Sequence, residues 1–195
     1  MPAYNGNVKQ KDLYFGGVKI KEAYYGSTKV YSAGYPAGTV IFETSTAGTY
    51  TVKLDYKQKY DIKLVGGGGG GHTTGAGVHP YNYGGGSGAY VYGVKTISAG
   101  TYTVIVGAAG SGRNNGGDSS FDGEIAGVGK ASTNGGGVAT TTLSYINGNN
   151  GSFGNVWAGT GGASVYEGHG AGATANNGGL SGQTPGYVKI VAVQS

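Results

Sequence analysis

The fold depends on the stretch LVGGGGGGHTTG, residues 64–75. Six consecutive glycines follow directly on the apolar end of YDIKLV, residues 60–65, whose composition is that of a β-strand. Glycine has no side chain to bury, and it loses more backbone entropy on ordering than any other residue. The run is therefore either a flexible tether or backbone that is ordered by hydrogen bonds to neighbouring segments.

The positions of the other glycine runs favour order. Glycine accounts for 45 of the 195 residues, about three times its usual share. The runs abut strand-like segments, whereas linkers place Gly with Ser and Pro between domains. Polyglycine in a polyproline-II-like helix has three residues per turn and no internal hydrogen bonds, so its N–H and C=O groups must bond to neighbouring chains. We predict that residues 66–71 are one ordered strand in a polyglycine layer.

The remaining sequence predicts an all-β fold without helices. TAGTYTVKL at 46–54 returns as SAGTYTVIV at 98–106, which favours two strands that face a common core. Residues 36–195 are accordingly predicted to form a glycine-rich β-sandwich with polyglycine-II-like segments. Its strands are predicted at 39–44, 49–56, 60–65, 89–97, 98–106, 138–146 and 186–193.

A ten-residue repeat opens the chain and predicts a separate module over residues 1–35. Its units are YNGNVKQKDL, YFGGVKIKEA and YYGSTKVYSA. We expect an antiparallel β-repeat, a meander with strands of about eight residues and turns at Asn5-Gly6, Gly16-Gly17 and Gly26-Ser27. Such a meander is too thin to be stable alone. It is therefore predicted to attach the protein to something else, through candidates Tyr4, Tyr14, Tyr24, Lys19 and Lys29.

Charge and composition exclude several classes of protein. The net charge of +4 lies in residues 1–65, which hold nine Lys and five acids, whereas residues 66–195 are net neutral. A neutral glycine-rich part argues against nucleic acid as a partner. Cys is absent, so disulfides and thiolate metal sites are excluded. The start MPAYNGNVKQ lacks an apolar signal region, and no stretch approaches a membrane span, so we expect cytoplasmic synthesis and no membrane insertion.

No arrangement of polar residues indicates catalysis. The three histidines, His72, His79 and His169, lack the spacing of a metal site. GVGKAS at 127–132 has Glu124 where a phosphate loop requires Gly. Ser119 and Ser120 in GGDSSF lack a nucleophile elbow, and a turn followed by a strand that buries Phe121 is the simpler interpretation. A carboxylate pair for glycoside hydrolysis, drawn from Asp118, Asp122 and Glu124, is the remaining alternative. We expect no enzyme activity, no cofactor and no metal.

Two aromatic loops are the candidate contact sites. YINGNNGSFGNVWAG at 145–159 and HTTGAGVHPYNYG at 72–84 place aromatic rings among Asn and Gly. Tyr and Trp stack on sugar faces and Asn bonds hydroxyl groups, so the composition suits glycan contact. In the alternative, the rings cover the glycine layer, which has no side chains of its own. The candidates are Tyr81, Tyr83, Tyr145, Phe153 and Trp157.

The order of these motifs resembles the glycine-rich domain of bacteriophage tail-fibre and tail-tip proteins. The resemblance covers about residues 38–195, from LVGGGGGGH through AYVYGVKTISAGTYTVIVGAAGSG and GGDSSFDGEIAGVGK to GYVKIVAV. A relative of this domain occurs in receptor kinases of the anaplastic lymphoma type. The N-terminal KDLYFGGVKIKEAYYGSTKVYSAG separately resembles a short β-repeat of phage structural proteins.

The resemblance implies a phage virion structural protein, a tail-fibre or tail-tip component involved in host attachment. Its implied partners are other virion proteins and a host-surface glycan, and it would act as a homo-oligomer or in many copies on the virion. The alternative is a head-fibre or capsid-decoration protein without receptor binding. A host-encoded extracellular adhesion domain is the third possibility, against which the missing signal counts.

Overall fold

The computed structural model describes most of the chain. The described residues are 4–5, 8–9, 13–20, 22–25, 27–32, 34–75, 81–132, 135–155, 159–176 and 179–193. Every regular element among them is a strand, as the sequence predicts. None of the described residues belongs to a helix long and apolar enough to cross a membrane.

The N-terminal repeat forms three hairpins, and in the described part each strand pairs only within its own hairpin. The hairpins are β1 (Tyr4–Asn5) with β2 (Val8–Lys9), β3 (Leu13–Phe15) with β4 (Val18–Ile20), and β5 (Glu22–Tyr25) with β6 (Thr28–Ser32). The predicted meander of eight-residue strands is therefore wrong. A ten-residue unit has room for two short strands and a turn, so each unit closes on itself.

One of the predicted turns is confirmed by the pairing, because Phe15 pairs with Val18 across Gly16-Gly17. Tyr25 pairs with Thr28 on either side of the predicted turn Gly26-Ser27, of which Gly26 lies outside the described residues. The turn predicted at Asn5-Gly6 is wrong, because Asn5 lies in β1 and pairs with Val8. Residues 6–7, between these two strands, are outside the described part of the chain.

Two antiparallel sheets form a sandwich over the rest of the chain. In spatial order, the first sheet contains β16 (Ser144–Ile146), β12 (Tyr90–Ile97), β9 (Gln58–Val65), β20 (Tyr187–Ala192) and β7 (Val40–Thr44). The second contains β15 (Glu124–Ala126), β14 (Ser119–Phe121), β13 (Gly100–Val106) and β8 (Gly48–Leu54). The two copies of the GTYTV motif lie side by side as β8 and β13.

The core lies between these sheets, because the strands alternate apolar and polar residues. In β9, Tyr60, Ile62 and Leu64 are fully buried, whereas Lys59 is exposed on the opposite side. Phe121 is also buried, as predicted. The other core residues are Val52, Leu54, Val91, Ile97, Val104, Val106, Ala126, Val188, Ile190 and Ala192.

The strand predicted at 138–146 is wrong over most of its length. Only residues 144–146 form β16, and Thr140 makes an isolated bridge to Ile125. Between them, Thr141 and Thr142 turn their hydroxyl groups to the carboxylate of Glu124. These side-chain hydrogen bonds bend the chain away from a regular ladder.

The six glycines continue β9 out of the sandwich as an ordered helix of the polyglycine-II type. The amides of the first five glycines, Gly66 to Gly70, donate in order to Ala89 O (3.0 Å), Gly117 O (2.8 Å), Thr184 O (3.1 Å), Gly86 O (2.8 Å) and Asn114 O (3.0 Å). The first and fourth amides thus reach one neighbouring segment, and the second and fifth reach another. This repeat of three is the geometry of a polyproline-II helix.

The carbonyl groups of the same helix reach three further segments. Gly67 and Gly70 accept from Gly129 N and Ser132 N, Gly68 accepts from Gly110 N, and Gly69 accepts from Ala173 N. The helix is therefore surrounded on all sides rather than lying in a single layer. Its six neighbours are 84–89, 107–112, 114–117, 127–132, 168–173 and 182–186.

A second central helix, residues 84–89, repeats the arrangement. Gly84 and Ser87 donate to Ser152 O and Asn149 O, Gly85 and Gly88 to Ala173 O and Gly170 O, and Gly86 and Ala89 to Lys130 O and Gly127 O. We call the helices and their neighbours the glycine bundle. The segments that enter it from the sandwich emerge from it into further strands.

Those further strands close the far end of the bundle. A three-stranded distal sheet contains β10 (His72–Thr74), β11 (Tyr81–Tyr83) and β17 (Phe153–Asn155), with β11 in the middle. A hairpin of β18 (Thr174–Asn176) and β19 (Gly179–Ser181) lies beside it. The sandwich, the glycine bundle and the distal sheet thus follow one another along the molecule.

Candidate functional site

Four aromatic rings lie on one side of the distal sheet. His72 pairs with Tyr83 across β10 and β11, and Tyr83 pairs with Phe153 across β11 and β17. Tyr81 lies two residues before Tyr83 and therefore points to the same side. We call His72, Tyr81, Tyr83 and Phe153 the aromatic tip.

The rings of the aromatic tip are stacked and half exposed. His72 and Tyr83 are nearly parallel, with centroids 4.6 Å apart and an interplanar angle of 6°. Phe153 lies 5.1 Å from Tyr83 and 5.8 Å from Tyr81, between centroids. The exposed fractions of Tyr81 and Phe153 are 47% and 48%. Since the rings fix one another and remain open to solvent, they form a preorganised apolar platform.

The histidine at one end of the platform is held uncharged. Its Nδ1 lies 2.6 Å from the hydroxyl oxygen of Ser132. Burial lowers the pKa of His72 below its ordinary value of 6.5, and the positive charge of Arg113 lowers the pKa further. His72 is therefore a neutral ring at physiological pH, and its contact with Tyr83 is a stack of two uncharged rings.

The opposite side of the distal sheet anchors it to the glycine bundle. Asn82 is completely buried, and its Oδ1 accepts a hydrogen bond from the hydroxyl group of Thr73 at 2.7 Å. Gly154 pairs with Asn82 on β17, and a Cβ at Gly159 would lie 2.5 Å from the carbonyl oxygen of Asn82. The small and polar residues thus face inward, and the rings face outward.

The structure brings together three of the five contact candidates. Tyr81, Tyr83 and Phe153 meet in the aromatic tip, although more than 70 residues separate Tyr81 from Phe153. Tyr145 lies apart from them in β16, where it pairs with Val91 at the edge of the sandwich. Trp157 is outside the described residues.

The attachment candidates lie in the hairpins of the N-terminal module. Tyr14 is 57% exposed, and Lys19 donates from Nζ to the hydroxyl oxygen of Tyr56 at 2.8 Å. The backbones of Tyr4, Tyr24 and Lys29 lie in β1, β5 and β6, but their side chains are outside the described part of the chain. Lys19 thus contacts the turn between β8 and β9.

A second stack of rings, which the sequence did not predict, lies on the outer side of the sandwich. Tyr90 stacks on both Tyr92 and Tyr166, and His169 stacks on Tyr187 with centroids 4.5 Å apart. The spacing of Tyr90 and Tyr92, two residues apart in a strand, is the signal that points to a shared outer side. The hydroxyl group of Tyr187 donates to Glu43 Oε1 at 2.6 Å.

The polar residues considered for catalysis have structural contacts. Ser119 is buried, donates from its hydroxyl group to Val65 O at 2.6 Å and accepts from Gly107 N. Glu124 is buried and binds Lys95, and Asp118 Oδ1 accepts from Val128 N. Within the described ranges, no group of three or more His, Cys, Asp or Glu side chains is arranged to hold a metal ion.

One family of known proteins matches most of the chain. No protein with a curated description matches the chain. The profile of a family described as a glycine-rich domain matches residues 44–192, from the end of β7 to the end of β20. The match thus includes both sheets of the sandwich, the glycine bundle and the distal sheet, and the chain belongs to the glycine-rich domain family.

Proposed function

We propose that the chain is a phage virion protein of the tail-fibre or tail-tip kind, which attaches to glycans on the host surface through the aromatic tip. The observation that carries the proposal is a preorganised, half-exposed platform of rings at one extremity of the molecule. Tyr81 and Phe153 are half-exposed rings beside polar backbone, and such a surface suits the apolar face of a sugar ring.

The positions of the two ends support the proposal. Residues 34–38 join the sandwich beside Gln58, at the start of β9, and Gly71 lies next to the distal sheet. Eight strand residues and six residues of polyglycine helix together span about 45 Å. The N-terminal module would bind the virion at one end, and the aromatic tip would face outward at the other.

The glycine bundle supports a role as a rigid spacer. Its central helices have their amides bonded to neighbouring segments over residues 66–70 and 84–89. A spacer without flexible joints keeps the rings at a fixed distance from the particle. Many copies on one virion would then combine weak single contacts into firm attachment. This is a binding role, and the proposal assigns no reaction to the chain.

The experiment compares exposed rings at two places. Tyr81→Ala and Phe153→Ala should each weaken binding of particles to host cells about tenfold, which corresponds to about 1.4 kcal/mol per ring. Tyr145→Ala is the matched control, because it removes a half-exposed ring that lies away from the tip. The thermal stability of all three variants should stay close to that of the native protein.

Unchanged attachment by both tip variants would contradict the proposal and favour the head-fibre or capsid-decoration alternative. Loss of attachment together with a large drop in thermal stability would mean that the rings mainly hold the distal sheet together. Direct binding of the purified protein to host-surface glycans separates these outcomes, because it is measured on folded protein alone.

A further inference from the structure

Charge is segregated within residues 66–195 although these residues are net neutral. The only acids between residues 66 and 195 are Asp118, Asp122, Glu124 and Glu167. Asp122 and Glu124 lie at the sandwich, where they bind Lys95. Asp118 is held by Val128 N near the start of the bundle. Glu167 follows Tyr166, which stacks on Tyr90 beside the sandwich.

Two cations lie at the far end of the bundle. Lys95 and Lys189 pair with Glu124 and Glu43 in the sandwich, which leaves Arg113 and Lys130 in the glycine-rich part. Both are exposed, and among the described residues neither forms an ion pair. The segments that carry them, 107–117 and 127–134, contain no acid, and Asp118, whose Oδ1 accepts from Val128 N, adjoins both segments.

The backbone places Arg113 beside the aromatic tip and Lys130 on a neighbouring segment of the bundle. Arg113 lies in the turn whose Asn114 carbonyl accepts from Gly70 N, two residues before His72, and its charge acts on that ring. Lys130 lies two residues before Ser132, whose hydroxyl oxygen contacts His72. The side chain of Asn115 joins the two segments by accepting from Ala131 N at 2.9 Å.

We propose that the aromatic tip binds an anionic saccharide, with the acidic group beside Arg113 and a sugar ring on Tyr81 and Phe153. This inference rests on the proposed function and names the class of its ligand. Guanidinium binds carboxylate and phosphate groups through paired hydrogen bonds, whereas a neutral sugar needs no cation. No acid lies within four residues of Arg113 in the sequence, so no neighbour along the chain offsets its positive charge.

The dimensions of the tip suit a short oligosaccharide. Arg113 acts on His72, which lies in β10 at one end of the row, and Phe153 lies in β17 at the other end. Two strand spacings separate β10 from β17 by about 10 Å. A disaccharide bridges that distance, so one sugar can carry the acid while the next lies on the rings. Two cations are too few for the phosphate contacts that dominate nucleic-acid binding.

The test measures binding of the full-length protein to immobilised trisaccharides. Three matched forms are used, in which one sugar is neutral, a hexuronic acid or a hexose 6-phosphate. A trinucleotide is the fourth probe. An acidic form should bind more tightly than its neutral counterpart, and its binding should weaken as salt is raised from 50 to 300 mM, about the range over which screening sets in. Arg113→Gln should weaken the acidic form about tenfold and leave the neutral form unchanged. The carboxylate and phosphate probes distinguish the two sources of the charge.

Lys57→Gln is the matched control, because it removes one exposed positive charge from the turn between β8 and β9, far beyond the range of salt screening. Equal binding of acidic and neutral forms, with no effect of salt or of Arg113→Gln, would overturn the inference. If Tyr81→Ala still abolished that binding, the proposed function would stand. Tighter binding of the trinucleotide than of any trisaccharide would overturn the inference. If the protein binds none of the four probes, the result counts against both proposals.

Discussion

The Nζ atom of Lys95 lies 2.7 Å from Oε1 of Glu124, and this ion pair joins the two sheets of the sandwich, from β12 to β15. Burial by itself raises the pKa of Glu124, but hydrogen bonds from Lys95, Thr141 and Thr142 outweigh burial and lower the pKa to about 2. The charged carboxylate is therefore the form that the folded state stabilises.

A dependence of stability on pH follows from this ion pair. Because the pKa of Glu124 falls from 4.5 to about 2 on folding, its stabilisation is present above pH 4.5 and is lost as the pH falls toward 2. Glu124→Gln should lower the free energy of unfolding at pH 7 by about 3 kcal/mol, because it leaves Lys95 without its buried partner. Urea unfolding at pH values between 5 and 2 measures both effects.

As the pH falls from 5 to 2, the free energy of unfolding should decline less steeply for Glu124→Gln than for the native protein. The exposed Glu43 and Asp55, whose pKa values are also lowered, contribute to the decline in both proteins. Glu167→Gln, at an exposed position, is the control and should follow the native curve. Parallel curves for native protein and Glu124→Gln would show that the ion pair does not govern acid stability.

Substitution within the glycine bundle should be far more damaging at Gly68 than at Ser87. A Cβ on Gly68 would overlap the carbonyl oxygen of Ala171, which is fixed backbone. We expect Gly68→Ala to cost more than about 4 kcal/mol or to prevent folding. Ser87 already places a side chain in the second central helix, and Ser87→Ala removes only the hydrogen bond from Asn149 N, at a cost of about 1–3 kcal/mol. Thermal unfolding measures the stability of both variants. Equal losses of stability for Gly68→Ala and Ser87→Ala would contradict the close packing of the glycine bundle.

The amides of residues 66–70 and 84–89 should be protected from hydrogen exchange. Each donates to a neighbouring segment at 2.8–3.1 Å, and opening any of them requires the bundle to separate. Amide exchange followed by NMR should give rates far below those of an unstructured peptide. The exposed amides of residues 98–99, in the turn before β13, provide the internal reference for rapid exchange. Peptide-like rates throughout 66–70 would mean that the glycines are a tether after all.

Removal of the N-terminal module should leave the sandwich folded. Deletion of residues 1–33 keeps Tyr35, whose amide donates to the buried Gln58 Oε1 at 2.7 Å. Deletion of residues 1–38 removes that donor and should cost about 1–3 kcal/mol, because Gln58 is left with an unsatisfied buried oxygen. Calorimetry distinguishes the two truncations.

The shorter deletion also tests the attachment role of the module. The protein without residues 1–33 should fold but fail to join particles, because Tyr14 and the other exposed side chains of the hairpins are lost. Incorporation is measured by the amount of protein in purified particles. Normal incorporation of this truncated protein would assign attachment to another surface.

Local patterns in the sequence determined where the strands lie. They also determined that the glycine runs are ordered backbone. Alternation in YDIKLV places Tyr60, Ile62 and Leu64 on one side of β9, and a period of two needs no knowledge of the partner strand. Residues 66–71 had to find external hydrogen-bond partners, because a polyglycine helix has none of its own. The predicted length of the strand at 138–146 was wrong, because the side chains of Thr141 and Thr142 bond Glu124 and bend the chain away from a regular strand.

Only the tertiary structure decided which functional groups meet. Tyr81 and Phe153 become neighbours through the pairing of β11 with β17, and Arg113 reaches His72 through the hydrogen bond from Gly70 to Asn114. Tyr145, close to Phe153 in the sequence, is left at the edge of the sandwich. The reason is physical: a glycine helix presents the same N–H and C=O groups on every side, so its choice of six neighbours follows from the packing of the whole domain rather than from any local pattern of residues.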